Sequence, residues 1–441
     1  MRHPPPACRI ALRSMRPTGR DVPYAGKSPR PCRIVRGVTP ARDAPALDLP
    51  DWISPRFRLT EGGVTQDAAA LAGRAGRLAT EYRQAGGGGV DGSSVAGLAA
   101  ALLAAREAGV PLRLRRSGAA PALADMPSGF SLLLETSGTT GTPKLVRHDP
   151  SRLLGRIPRT AAPDAVWLLS YDPCGFAGLQ VLLTAMAGGG RLVAAPGADA
   201  AALAALAAAE GCTHASGTPS FWRGLLLSGA RPPLKAITIG GEAVDEALLD
   251  RLAESFPAAR LRHIYASTEA GALFAVADGR AGFPASWLES GIEGVGLRIG
   301  DGVLEVRSPR RALSPETDAE GWLVTGDLVE VVGDRVLFRG RNDGVVNVGG
   351  VKVVPEQVEA LLLSVAGVGD AAVAAVPSPI TGQLLTARIV PVPNMSEEIL
   401  RDRLRDALST LPPAARPRRI ELVERLPLAP SGKKIRMEGA A

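Results

Sequence analysis

The chain has 441 residues, 46% of them hydrophobic but only 4% aromatic, and a formal net charge of +7. That length exceeds one ordinary core, so two or three domains are expected, with interiors built from Ala, Leu and Val. No run of 18 apolar residues is free of charges, Gly or Pro, and a membrane-spanning helix is not expected.

The charge excess is local. Residues 1–50 carry ten Arg or Lys against Asp21, Asp43 and Asp48, and the remaining residues hold 41 side chains of each sign. This stretch reads as a disordered basic Pro/Arg-rich leader. It is an unstructured extension, a start codon placed too far upstream (Met15 being one alternative), or a tail that touches acidic surfaces. It has no long apolar segment of the kind a secretory signal needs. The body is electrically neutral, so nucleic acid is not an expected partner. Cys8, Cys32, Cys174 and Cys212 are scattered without metal-ligand spacing, as are His3, His148, His214 and His263. The expectation is a cytoplasmic protein without structural zinc.

Residues from about 61 to 110 read as helical with a break at 86–89, Ser94 capping a helix with Val95, Leu98, Leu102 and Leu103 on its apolar side. Residues 130–134 read as a strand. It runs into a loop holding Thr136, Ser137, Gly138, Thr139, Thr140, Gly141 and Lys144. Backbone N–H groups, rotatable hydroxyls and a cation after a strand suit a phosphate; an ordinary flexible loop is the alternative. No Gly-Lys-Ser/Thr follows at Walker A spacing, which removes the main support for a P-loop ATPase.

From 130 to 300 short apolar runs (167–169, 192–194, 237–239, 264–265) alternate with helical stretches (parts of 179–187, 198–209, 245–256). This is the βα rhythm of an open α/β sheet, whose ligands collect beyond the carboxyl ends of its strands. After 300 the period changes: 303–306 and 329–338 read as strands, the second broken by Gly333-Asp334, a ribbon signal. Beyond Arg341-Asn342-Asp343-Gly344 come a ribbon to Val354, a helix over 356–363, strands near 371–376 and 385–392, and a helix over 396–408. The expected organisation is a leader (1–50), a large domain (51–342) and a small α+β domain (343–441) hinged at Asp343.

Further clusters carry chemistry. Tyr265-Ala266-Ser267-Thr268-Glu269 puts a hydroxyl and a carboxylate at a strand end, where Thr268 can donate to phosphate and Glu269 can hold Mg²⁺. The alternative is a helix N-cap at Thr268. Asp327, after Gly326, suits the two hydroxyls of a ribose, and Arg341 adds a fork-shaped donor near the domain boundary. Lys433 stands on a flexible loop near the end of the sequence, where basic residues usually just meet water.

In this order the clusters resemble the adenylate-forming superfamily of acyl- and aryl-CoA ligases, peptide-synthetase adenylation domains and luciferases. The likeness runs from about 130 to 436 and weakly back to 60. It implies an α/β fold: a large N-terminal domain with mixed and parallel sheets and a β-ribbon subdomain, then a small mobile C-terminal α+β domain. It further implies that the 136–144 loop embraces the phosphates of ATP and that Thr268 and Glu269 contact phosphate and Mg²⁺. Asp327 and Arg341 would face the ribose, and Gly240, Gly241, Glu242 and Tyr265 the adenine. Asp343 would be the hinge, and Lys433 the mobile lysine needed for adenylation. Val346–Glu359 matches the loop that faces the site after the small domain rotates. Gly349 and Gly350 would there let a pantetheine arm pass close to backbone; a plain ribbon turn is the alternative.

Counting back from Gly189-Gly190 puts the family's ammonium-binding position at Gly175 rather than Asp172, which favours a non-amino carboxylic acid. Gly175, Phe176, Phe221, Trp222 and Ala266 are expected pocket walls, with core packing the alternative for the aromatic residues. The expected activity is ATP-dependent formation of an acyl-adenylate and transfer to coenzyme A. The alternative is a free-standing enzyme that loads a phosphopantetheinyl carrier protein in trans or acylates an amine, as a monomer or homodimer. Three departures stand out: Leu145 replaces the usual glycine, 110–136 is short, and the strand before the 94–108 helix is hard to find. No carrier domain follows Lys433, hence the carrier in trans.

Overall fold

In the computed structural model the described residues are 52–116, 128–136, 144–154, 157, 161–313 and 315–436. The basic leader lies outside them, with Cys8, Cys32 and His3, and so do Ser137, Gly138, Thr139, Thr140 and Gly141 of the hydroxyl-rich loop. Among the described residues no helix is long and apolar enough to cross a membrane.

An eight-stranded sheet forms the centre. Its spatial order is Gly271–Val276, Arg260–Ser267, Ala236–Gly240, His214–Gly217, Val166–Leu169, Arg191–Ala194, Arg58–Glu61, Val64–Asp67. The six inner strands are parallel and the two outermost antiparallel to their neighbours. Parallel strands are covered on both faces and so read as unbroken apolar runs, as Val166-Trp167-Leu168-Leu169 does. Helix starts are marked by side chains that accept from a free N–H: Asp67, Ser94, Asp199, Thr218 and Asp245. Gly86, Gly109, Gly189 and Gly229 close helices in the left-handed conformation.

A second sheet pairs Gly88–Asp91, Leu112–Arg115 and Leu132–Thr136 in parallel, with Lys144–His148 antiparallel at its edge. Two expectations are corrected here. The stretch 61–110 is not helical throughout, since Val64–Asp67 and Gly88–Asp91 are strands. The strand that is hard to find before the 94–108 helix is Gly88-Gly89-Val90-Asp91, a segment too glycine-rich to show an alternating pattern.

An antiparallel five-stranded sheet follows, ordered Phe283–Pro284, Arg335–Arg341, Leu323–Val332, Val303–Arg307, Gly296–Gly300. The C-terminal α+β part has the ribbon Val346–Val348 and Val351–Val353, and a sheet of Val368–Ser378, Gly382–Pro391 and Arg419–Leu422. Helices Pro355–Leu363 and Glu397–Ser409 complete its own apolar core around Val358, Leu362, Leu400 and Leu404. This two-part α/β architecture is the expected fold class.

Candidate functional site

The carboxyl ends of the central strands and the five-stranded sheet meet at Tyr265. Its hydroxyl donates to Asp327 Oδ2, and its ring packs on Phe338 and Phe274 at centroid distances of 4.8 and 5.4 Å. Burial first, and then the Asp327 carboxylate, hold the phenol well above its usual pKa range. A register shift between Tyr265 and Ala266 in the pairing with Gly271–Val276 re-aims the strand end. Ser267 Oγ then accepts from Ala270 N at 3.0 Å, and residues 268–270 form a turn into the next strand. Thr268 is therefore not a helix cap, and Thr268 and Glu269 sit half-buried at a strand end.

Asp327 is gripped from a second side by Arg341, whose Nη1 lies 3.2 Å from Asp327 Oδ1 and 2.8 Å from the Thr325 carbonyl. Arg341 Nε also donates to Asp343 Oδ1 at 3.2 Å. Gly326, at φ +75°, is required here: a Cβ would stand 3.0 Å from Arg341 Nη2. The carboxylate that suits two hydroxyls, the fork-shaped donor and the hinge candidate thus form one chain of contacts.

Strand Ala236–Gly240 delivers Gly240, Gly241 (φ +88°) and Glu242 to the other side of the cleft. Glu242 Oε2 accepts from Ser220 N and Oγ at 3.1 and 2.6 Å, and Oε1 accepts from Lys434 N at 3.1 Å. Thr218, N-cap of helix Pro219–Ser228, donates to the Gly432 carbonyl at 2.5 Å. The loop carrying Lys433 is thereby seated on the large part of the molecule. Lys433 itself is exposed, and its Cε lies 3.7 Å from where a Cβ on Gly241 would stand. Among the described residues its ammonium makes no hydrogen bond or ion pair.

Phe221 and Trp222 are 1% and 0% exposed and pack in the core with Leu168, Ile237 and Leu248. Trp222 Nε1 donates to the Thr238 carbonyl at 3.1 Å. The aromatic pair follows the core-packing alternative. Phe176 and Ala266 remain half-buried, and Gly175 is the N-cap of helix Phe176–Gly188. Asp172 is bound to Arg116 Nε at 2.6 Å and accepts from Cys174 N at 2.9 Å. Arg116 Cζ stands 4.0 Å from the Cβ position of Gly175. Gly349 and Gly350 form the exposed ribbon turn at φ +58° and +90°.

Thr218, Arg223 and Lys434 were not legible as site residues. The Thr218-Pro219 pair is a helix-start signal that locates the first of them; nothing in the linear sequence pairs the other two with their partners. Burial pushes the thiols of Cys174 and Cys212 up to about 12, so neither described cysteine is a ready thiolate.

His148 ends strand Lys144–His148, is 0% exposed, and stacks obliquely on Phe176 at 5.7 Å. Burial lowers its pKa to about 4; the nearby Thr268 backbone favours the charged ring, though neither ring nitrogen has a well-aligned partner. Between pH 6.5 and about 4 the unfolded chain takes a proton that the folded ring refuses. Stability from this group is therefore complete above that window and falls as pH drops through it, by at most roughly 3 kcal/mol. His148→Phe is expected to flatten the dependence of Tm on pH in that window. An unchanged slope would assign the acid sensitivity elsewhere.

Comparison with known proteins bears on this geometry. The AMP-binding enzyme model matches residues 107–323, and the AMP-binding enzyme C-terminal domain model matches 357–433. The chain belongs to this family of adenylate-forming enzymes. It is 31% identical to p-hydroxybenzoic acid–AMP ligase FadD22 of Mycobacterium tuberculosis over 68% of this chain and 47% of that protein. It is 28% identical to 4-coumarate–CoA ligase-like 2 of Arabidopsis thaliana over 69% of this chain and 60% of that protein. The chain thus spans about half the length of the first of these relatives. Among solved structures, ATP-bound MatB from Rhodopseudomonas palustris matches at TM-score 0.67 and 20% identity, over 86% of this chain and 94% of that one. Amide bond synthetase McbA from Marinactinospora thermotolerans matches at 0.62 and 20%, over 87% and 96%. At such identities the structures establish the fold.

Proposed function

We propose that the chain activates a non-amino carboxylic acid as its acyl-adenylate, using ATP and Mg²⁺, and passes the acyl group to the thiol of coenzyme A. The substrate carboxylate oxygen attacks the α-phosphorus and pyrophosphate leaves. The thiol sulfur then attacks the acyl carbonyl carbon, AMP departs, and the thiol proton passes to solvent.

The observation that carries this reading is the docked tail. Thr218 and Glu242 hold the Gly432–Lys434 backbone so that an exposed Lys433, without an ion pair among the described residues, stands beside Gly241. Its ammonium is free to meet negative charge building on the transferring phosphoryl group. In this reading Asp327 and Arg341 hold the ribose, and Gly240, Gly241, Glu242 and Tyr265 border the adenine. Lys144 with residues 136–141 cradles the phosphates, and Thr268 donates to one of them. Glu269 would hold Mg²⁺: a single half-buried carboxylate suits an ion that takes its other ligands from phosphate and water. Bound there, Mg²⁺ would supply positive charge to the phosphates. Gly175, Phe176 and Ala266 line the acyl pocket. The Arg116–Asp172 pair supports a non-amino acid, since an ammonium at Asp172 would have to displace a guanidinium at 2.6 Å.

Rotation of a small lobe (343–441) on a large one (51–342) about Asp343 would then bring the Gly349–Gly350 turn to the site for thiol entry. A second reading is release to a carrier protein or an amine. It is favoured because FadD22 is by name an acid–AMP ligase and McbA an amide bond synthetase. Either activity would sit in the cytoplasm, in a monomer or homodimer. Pyrophosphate exchange over aryl, fatty and amino acids tests the first step. Exchange with an aryl or fatty acid, discharged by free coenzyme A, is the expected result. Exchange with amino acids alone would overturn the substrate class, and discharge only by a holo carrier protein or an amine would select the second reading.

A further inference from the structure

We propose that Arg223, Asp370 and Lys434 form a buried charge relay that locks the C-terminal part in the orientation presenting Lys433. Arg223 and Lys434 are then positioning residues for the first half-reaction. This rests on the activation reading above.

The two adjacent lysines have opposite surroundings. Lys434 Nζ reaches Asp370 Oδ1 at 2.8 Å, Glu359 Oε1 at 3.1 Å and the Ala371 carbonyl at 2.5 Å, which uses all three of its protons. Asp370 Oδ1 also faces Arg223 Nε at 3.9 Å, and Arg223 Nη2 is bound by Asp245. Side-chain exposures of Lys434, Asp370 and Arg223 are 2%, 7% and 4%. Asp370, in the C-terminal sheet, is the shared member: it faces Arg223 of helix Pro219–Ser228 on one side and Lys434 of the tail on the other.

Neighbouring contacts make the same junction. The Gly369 carbonyl accepts from Arg251 Nη1 at 3.3 Å. Gly369 also packs so tightly on Leu227 that a Cβ would stand 2.6 Å from Leu227 Cδ2. Helix Pro219–Ser228 thus holds the C-terminal part at three points: Thr218 at its cap, Arg223 further along and Leu227 near its end. Glu242 bridges Ser220 of that helix to the Lys434 backbone. Rotation of the C-terminal part would strip Asp370 from Arg223 and break the Glu242–Lys434 contact together. Separating buried charge partners is costly, so the relay biases the enzyme towards the state in which Lys433 meets its target. Lys434 cannot serve as the mobile cation without abandoning two buried carboxylates.

The test uses the full chain with Arg223→Met, which keeps the stem and removes the charge. Hydrogen exchange of the 429–435 segment is read first, because it requires no turnover. Its amides are expected to be protected in the wild type and to lose protection in R223M. Pyrophosphate exchange is expected to fall about tenfold in R223M, while transfer from preformed acyl-adenylate does not slow, because the rotation it needs no longer breaks the Arg223–Asp370 contact. In a Lys433→Ala background R223M is expected to add little, because both act through the same ammonium. Protection retained in R223M, or a tenfold loss that multiplies with K433A, would overturn the relay. If R223M does not fold, Arg251→Met removes the Gly369 hydrogen bond and a positive charge near Asp245 and Asp370, and is expected to shift protection in the same direction; no shift there also overturns it. Should protection fall as expected while the wild type exchanges pyrophosphate with no acid, the lock stands and the activity assignment fails.

Discussion

Lys433→Ala is expected to slow acyl-adenylate formation by roughly 10²-fold or more, with the KM for ATP changed by only a few-fold. A charge partner engaged mainly in the transition state lowers turnover rather than ground-state binding when it is removed. The local structure makes compensation by the neighbouring lysine implausible, because Lys434 has all three ammonium protons committed to Asp370, Glu359 and the Ala371 carbonyl. Pyrophosphate exchange by K433A at near the wild-type rate would refute the role assigned to this side chain.

Asp327→Ala is expected to act on binding instead, raising the KM for ATP by roughly 10- to 100-fold. Hydrogen bonds to a charged acceptor contribute about 1.5–3 kcal/mol each, and 1.4 kcal/mol is tenfold in affinity. The carboxylate already receives the Tyr265 hydroxyl and Arg341 Nη1. Those donors fix its orientation, and a ribose must share it with them. Tyr265→Phe is the control: it removes one orienting donor and leaves the charge, so its effect on KM should be several-fold smaller. A KM for ATP within twofold of wild type in D327A would remove Asp327 from the nucleotide site.

Much of the architecture was readable from periodicity. The central parallel strands are buried on both faces, so 167–169, 192–194 and 237–239 stand out as apolar runs between helical stretches. After Asp343 the helices are legible instead from a one-sided apolar spacing, as in Leu400, Leu404 and Leu408. Segments whose stability is not local were missed. Gly88–Asp91 has almost no side-chain pattern and is a strand because Leu112–Arg115 pairs with it. Arg419–Leu422 lies just after Pro412, Pro413 and Pro417 and joins its sheet through parallel pairing with Gly382–Pro391. Helix Pro219–Ser228 carries a start signal in Thr218-Pro219, and its Phe221 and Trp222 face the core.

Legibility of the site divides along the same line. Thr268 and Glu269 stand out as a hydroxyl and a carboxylate at a strand end, Asp327 and Arg341 as charges after a glycine, and Lys433 as a lysine near the end of the sequence. The structure brings Tyr265, Asp327, Arg341 and Asp343 into contact and seats Lys433 beside Gly241. The charges that hold the tail were invisible because their partners lie far apart along the chain: Arg223 with Asp370, and Glu242 with the backbone of Lys434. Only folding reveals that Lys434 is consumed by structure while its neighbour makes no ion pair among the described residues.

The strand Arg58–Glu61 has a consequence for biosynthesis. It pairs on its inner side with Arg191–Ala194, made more than a hundred residues later. At a synthesis rate of roughly 5–20 residues per second, that partner arrives roughly 7–27 s after the strand itself. For that interval the strand is paired on one side only, with Val64–Asp67, and its other edge keeps its backbone groups open. An unpaired strand edge is a template for pairing with another chain, so the ribosome-bound stage is the one most open to aggregation.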